Sequence, residues 1–258
     1  MRPLFASLAI AFSMYSVFPA PQAAWKRENM RYVMACFPLV GLLIGGAIWL
    51  WLWFCARVGV TPALAAAVAV ALPAVLSGGI HLDGFCDTAD ALGSHAPRER
   101  KLEILKDSHT GAFALIACCL YLFLLFGLWC QYFTFPFDPL SAVVLALGFF
   151  LSRCLSGLSV VHFPCAKTSG LAATFADAAV KRRTGAALVS GVVLCSAVML
   201  LLLPFTGALV ILTSLALFQY YRLMAKRQFG GITGDLCGWF LQLCEGLILL
   251  AVTVGGSF

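Results

Sequence analysis

The sequence predicts an all-α fold: a polytopic membrane bundle of about seven transmembrane helices, with an N-terminal interfacial or re-entrant segment and short cytoplasmic helices. Three observations predict it. Of 258 residues, 62% are hydrophobic and only 11% are charged, against about 25% charged in soluble domains. The apolar residues arrive in runs of about twenty, enough helix to cross roughly 30 Å of hydrocarbon. The 11 cysteines lie singly or as Cys118-Cys119, mostly inside those runs and never as CxxC, so they read as small buried hydrophobes. Disorder, fibrous repeats and a disulfide-stapled secreted domain are excluded.

The first run, 4–18, ends in Pro19-Ala20-Pro21 and follows Arg2. It imitates a signal peptide but reads as an uncleaved segment, too short to span. Seven spans follow at about 33–55, 62–80, 111–131, 139–161, 185–203, 205–223 and 236–254. No repeat or low-complexity tract interrupts them, so residues 1–258 read as one integral membrane domain. Alternating the spans puts thirteen of the 17 Lys and Arg residues on one side and Arg57 alone on the other. The positive-inside rule makes the rich side cytoplasmic and the C-terminus external. Nine of the 11 acidic residues fall on the same side. The formal charge of +6 thus conceals a polar inner face of both signs. The nearly blank outer face weakens any reading as a transporter.

After the second span comes Gly78-Gly79-Ile80-His81-Leu82-Asp83-Gly84-Phe85-Cys86-Asp87-Thr88-Ala89-Asp90. Asp83, Asp87 and Asp90, at i, i+4 and i+7, lie within about 60° of arc on one helix. Three like charges so placed oppose folding unless a cation neutralises them, and hard carboxylate oxygens suit Mg²⁺. The competing reading is a solvated polar face, but such faces usually interleave Lys or Arg, and none occurs between Arg57 and Arg98. His81 reads equally well as an interfacial hydrogen-bonding residue or a catalytic one.

Residues 98–108 suggest an interfacial helix ending in Lys106-Asp107-Ser108. An aspartate at a helix C-terminus opposes the macrodipole; it either caps the next span, as Ser108 can, or contacts metal or phosphate. Arg153 lies inside the fourth span, where a lone charge needs a partner or a cavity. Gly230-Gly231-Ile232-Thr233-Gly234-Asp235 opens the last span, with Asp235 as N-cap or ligand, and Glu245 is a second intramembrane ion. The polar loop Phe163–Leu171 carries Lys167.

GGIHLDGFCDTAD followed by EILKDSHTGAF resembles the cobalamin synthase family, the adenosylcobinamide-GDP ribazoletransferases. AFSMYSVFPAP, FPLVGLLIG, FPCAKTSGL and GGITGD with a later Glu resemble its other segments, so the likeness covers nearly the whole chain. Val17 stands where the family usually carries a basic residue, and Gln242 where an acidic one is common. The resemblance implies the last step of cobalamin assembly: α-ribazole, or its 5′-phosphate, is joined to adenosylcobinamide-GDP with release of GMP, and Mg²⁺ is required. It implies Asp83, Asp87 and Asp90 as metal ligands, with His81, Lys106 and Asp107 joining them as catalytic residues. Ser108, Arg153, Lys167, Thr233, Gly234, Asp235 and Glu245 would bind substrate. The other implied partner is the lipid bilayer of a bacterial or archaeal cell (inner) membrane, with a cytoplasmic active face and no nucleic acid. A homo-oligomer, or association with other cobalamin-assembly enzymes, stays open. Two other Mg²⁺-dependent intramembrane transferases compete. A CDP-alcohol phosphotransferase would need an Arg after the Asp-Gly pair, and a prenyltransferase a second aspartate-rich motif; neither is present.

Overall fold

The computed structural model describes residues 3–256. Arg2, the charge preceding the first apolar run, lies outside them. The described chain holds twelve helices and no strand: α1 (Pro3–Tyr15), α2 (Arg27–Met30), α3 (Val33–Val58), α4 (Pro62–Leu76), α5 (Ile80–Gly93), α6 (Arg98–Ile104), α7 (Ala112–Tyr132), α8 (Pro139–His162), α9 (Leu171–Ala178), α10 (Lys181–Leu202), α11 (Pro204–Gln228) and α12 (Gly234–Gly255). Six of these, α3, α7, α8, α10, α11 and α12, are long and apolar enough to cross a membrane. Each overlaps an expected span. The expected all-α membrane bundle is what the structure shows.

Capping chemistry sets several boundaries. Gly59, at φ 72°, closes α3 by donating its N–H to the Cys55 carbonyl. The Asp138 carboxylate accepts from the N–H groups of Leu140 and Ser141 to open α8. Thr233 does the same for Leu236 at the head of α12. Within the bundle α8, α12 and α3 are the most enclosed helices, whereas α7 and α10 turn most of their length outward. Phe123 and Leu124 of α7, and Val193 and Leu194 of α10, are exposed accordingly. In a bilayer such side chains face acyl chains at no cost.

The expected second span departs from a straight crossing. Its helix, α4, stops at Leu76 after 15 residues, about 22 Å of rise. The chain then bends by 94° into α5. Gly78 and Gly79, at φ 65° and 77°, make the reversal, and the Gly79 N–H donates to the Ala74 carbonyl at 2.8 Å. Left-handed backbone in succession is cheap only for glycine. The aspartates therefore sit not on a continuation of the span but on a helix laid across its end.

The N-terminal run forms α1, 13 residues long and too short to cross. It buries Ala6, Ser7, Ala9, Ile10 and Ala11 and packs against α3. Beyond it, the Val17 N–H donates to the Leu76 carbonyl at 2.9 Å. This bond ties the N-terminal segment to the α4–α5 bend.

Candidate active site at the helix bend

The site is built where α5 crosses the first turn of α12. A Cβ at Gly84 would stand 2.8 Å from the Asp235 carbonyl oxygen, and one at Gly238 the same distance from that of His81. The two backbones touch, which only glycine permits. Aspartates Asp83, Asp87 and Asp90 of α5 are thereby gathered with Asp235 of α12, and Asp87 feels the charge of all three others. Among the described residues none of these four carboxylates has a salt-bridge partner.

Two loops brace Asp235 from the other side. The 163–171 and 230–235 segments join through a parallel bridge, in which the Ala166 N–H donates to the Ile232 carbonyl at 2.8 Å and the Ile232 N–H to the Pro164 carbonyl at 2.9 Å. This pairing places Lys167 in electrostatic contact with Asp235 and with Lys106. The Lys167 Nζ donates to the Leu102 carbonyl at 3.0 Å. Burial first, and Lys106 second, push its ammonium below the ordinary lysine value, while Asp235 opposes the shift. Thr233 caps α12 and donates its hydroxyl to Asp235 Oδ2 at 3.2 Å.

Two cavities meet at Asp235. A cleft of about 240 Å³ sets Lys106, Lys167, Ser169, Thr233 and Asp235 among apolar neighbours such as Leu105 and Ile232. A second cavity of about 300 Å³ is lined by Tyr15, Phe37, His81, Asp83, Phe175 and Asp235 among others. Leu171, Ala172, Gly234 and Asp235 belong to both walls. The two cavities thus adjoin at a carboxylate.

Other expected site residues are placed differently. Asp90 Oδ1 accepts from the Ala114 N–H at 3.3 Å, and its carboxylate lies against Gly111 at the head of α7. The helix expected to be capped by Asp107 or Ser108 is thus met by Asp90. Asp107 instead accepts from the His109 backbone N–H at 3.0 Å and stands 2.7 Å from His109 Nδ1, which hold its carboxyl below the usual range. Asp107 and Ser108 are exposed and line neither cavity. Arg153, 1% exposed, is paired with Glu245 and donates to the Phe149 carbonyl and Ser152 Oγ. The pair also lines neither cavity. The departures noted above have structural places: Val17 at the bend, and Gln242 accepting from the Tyr121 hydroxyl at 2.9 Å.

Tyr15, Phe37 and Phe175 were not singled out from sequence. They come from three separate helices, and only tertiary packing brings them to one cavity. Helix α9, which carries Phe175, begins at Leu171, where the polar loop read from the sequence ends.

Residues 7–253 match the family model described as cobalamin-5-phosphate synthase. The chain is 44% identical over 248 residues, 96% of its length, to a protein of Lachnoclostridium phytofermentans named adenosylcobinamide-GDP ribazoletransferase, 93% of which is covered. Proteins of the same name from Clostridium perfringens strain 13 (31% identical, 98% of this chain and 100% of that one) and Pseudomonas putida (34%, 99% and 100%) are similar throughout. No solved structure matches the chain.

Proposed function

Since the chain belongs to the cobalamin-5-phosphate synthase family, we propose that it joins α-ribazole, or its 5′-phosphate, to adenosylcobinamide-GDP and releases GMP, the last step of cobalamin nucleotide-loop assembly. The observation that carries this reading is the meeting of two cavities at Asp235, one bearing two lysines without a salt-bridge partner and the other aromatic. Phosphoryl-type transfer asks mainly for positioning and charge neutralisation. Lys106 and Lys167 repel each other across the cleft, and a pyrophosphate between them turns that repulsion into two charge-assisted contacts. A ribose hydroxyl in the neighbouring cavity then faces the phosphorus attached to the aminopropanol arm. The new P–O bond forms to the ribose oxygen as the bond to GMP breaks. The hydroxyl proton passes to a carboxylate at the junction, Asp83 or Asp235.

We further propose that the site works with Mg²⁺ and faces the cytoplasm of a cell (inner) membrane. Its donors suit a hard cation, being carboxylate oxygens without salt-bridge partners. Among the described residues no three His, Cys, Asp or Glu groups converge on one point. Mg²⁺ commonly takes one or two carboxylates and completes its shell with water and substrate phosphate. Asp87, with one of Asp83 and Asp235, would hold it, and when bound it would offset charge on the phosphate oxygens. The cytoplasmic orientation rests on the basic residues flanking the bundle end that carries the site.

The test is product formation by the purified protein in proteoliposomes given adenosylcobinamide-GDP, α-ribazole and Mg²⁺. Cobalamin and GMP should appear in equal amounts, EDTA should stop the reaction, and Mg²⁺ should restore it. Absence of GMP would overturn the assignment. Undiminished turnover in EDTA would overturn the metal.

A further inference from the structure

The proposed reaction leaves open which substrate enters which cavity, and the two cavities differ enough to decide it. The 240 Å³ cleft has lysines on its wall and no aromatic ring. The 300 Å³ cavity is aromatic and has no lysine. Tyr15 stands 4.4 Å from Phe37, 5.9 Å from His81 at an interplanar angle of 16°, and 6.3 Å from Phe175, measured between ring centroids. Met34, Ser156, Val160, Cys237 and Leu241 also line it, and among the described residues Asp83 and Asp235 are its only carboxylates.

His81 is the cavity's unexplained group. It is 4% exposed, it lines the cavity, and its Nε2 is buried without a hydrogen-bond partner. A buried polar atom without a partner costs about 1–3 kcal/mol, so it points to a ligand with a complementary ring nitrogen. Size narrows the ligand further. About 300 Å³ is the low end of small-molecule pockets, enough for a bicyclic base and part of its sugar but not for a corrin macrocycle. Chemistry narrows it again: most of the wall is rings and apolar side chains, which suit an apolar ring better than the donor–donor–acceptor edge of guanine. A methylated benzimidazole is apolar over its faces and edge and keeps one imine nitrogen.

We propose that this cavity is the acceptor subsite: the benzimidazole base of α-ribazole lies among Tyr15, Phe37 and Phe175, its imine nitrogen accepts from His81, and its ribose reaches out to Asp83 and Asp235. His81 is then a specificity-determining residue. The lysine-bearing cleft takes the pyrophosphate of the donor. The proposal rests on the transferase reading, and the experiment separates the two.

Kinetics in proteoliposomes would use α-ribazole and its indole counterpart, in which a CH replaces the imine nitrogen. Wild type should show a KM about tenfold lower for α-ribazole than for the indole riboside, the worth of one good hydrogen bond. In His81→Phe the two values should converge at the higher level while the KM for adenosylcobinamide-GDP stays within about twofold. Calorimetric titration of α-ribazole alone into the protein in nanodiscs should show the same difference without turnover, and guanosine should not displace it. Phe175→Ala should raise the α-ribazole KM by a comparable factor. If that variant fails to fold, the two ribosides and wild type still decide the matter. Equal KM values for both ribosides in wild type, displacement of α-ribazole by guanosine, or a KM change confined to adenosylcobinamide-GDP would each overturn the subsite. No GMP from wild type would instead overturn the transferase reading.

Discussion

The Arg153–Glu245 pair predicts a stability effect separable from catalysis. Arg153 is almost wholly enclosed between α3, α8 and α12, donates to the Phe149 carbonyl at 3.2 Å and to Ser152 Oγ at 3.0 Å, and meets Glu245 across the helix interface. Its stem lies where a Cβ on Gly41 would fall, so α3 reserves space for it. Arg153→Met fills much of that space but leaves the Glu245 carboxylate without its cation. Breaking one side of a buried pair costs about 3–5 kcal/mol, roughly 10–15 °C of melting temperature for a chain of this size. Glu245→Gln should cost a comparable amount for the mirror-image reason. The double variant removes both charges and should fall within about 2 kcal/mol of wild type, giving a coupling of at least about 4 kcal/mol. The assay is melting in detergent alongside initial rates for all three variants. If Arg153 contacted substrate phosphate, Arg153→Met would collapse turnover while melting stayed near wild type. That outcome would refute the structural role argued from the geometry.

Three further predictions follow from the site. Gly84→Ala places a methyl against the Asp235 backbone, which cannot rotate away; it should lower stability by about 1–3 kcal/mol and reduce kcat, checked by the same melting and rate measurements. Asp83→Asn and Asp87→Asn should abolish turnover in membrane-inserted protein, whereas Asp90→Ala should in addition lose about 1 kcal/mol of stability as the α7 cap is lost; equal melting of the three would remove the cap from the account. Cysteines introduced at His95 and Thr168 should react with an impermeant maleimide from the cytoplasmic side, and one at Phe135 from the opposite side; the reverse pattern would invert the topology.

The spans were legible because a bilayer demands about twenty apolar residues at a time, and the chain offers them between basic loops. The aspartate stripe was legible for a similar reason, since three carboxylates at helical spacing without a basic neighbour are expensive unless used. What escaped was set by pairing between distant segments. Gly78-Gly79 was in plain view, but a 94° bend depends on the surface against which the next helix lies. Asp90 and Asp107 are both acids near the start of α7, and only their positions in space show that the more distant one meets its amides. Tyr15 and Phe175 are 160 residues apart, and neither belongs to a pattern that a linear reading can detect.

The polar groups of α12 explain how a charged site is held at the end of an apolar bundle. Asp235, Gly238, Gln242 and Glu245 follow at i, i+3, i+7 and i+10, within about 80° of one helical face. Each meets a different support: the site, the backbone of α5, the hydroxyl of Tyr121 on α7, and Arg153 on α8. A helix sliding along its axis would break all of these together. This matters because four like charges gathered at the α5–α12 crossing repel one another and would part the helices if packing alone held them. The glycine contact gives close approach but little resistance to sliding. The deeper hydrogen bond and ion pair supply that resistance, since in hydrocarbon neither can exchange its partner for water. The intramembrane charges thus hold the height of α12 within the bundle, at a distance from the carboxylates gathered at its head.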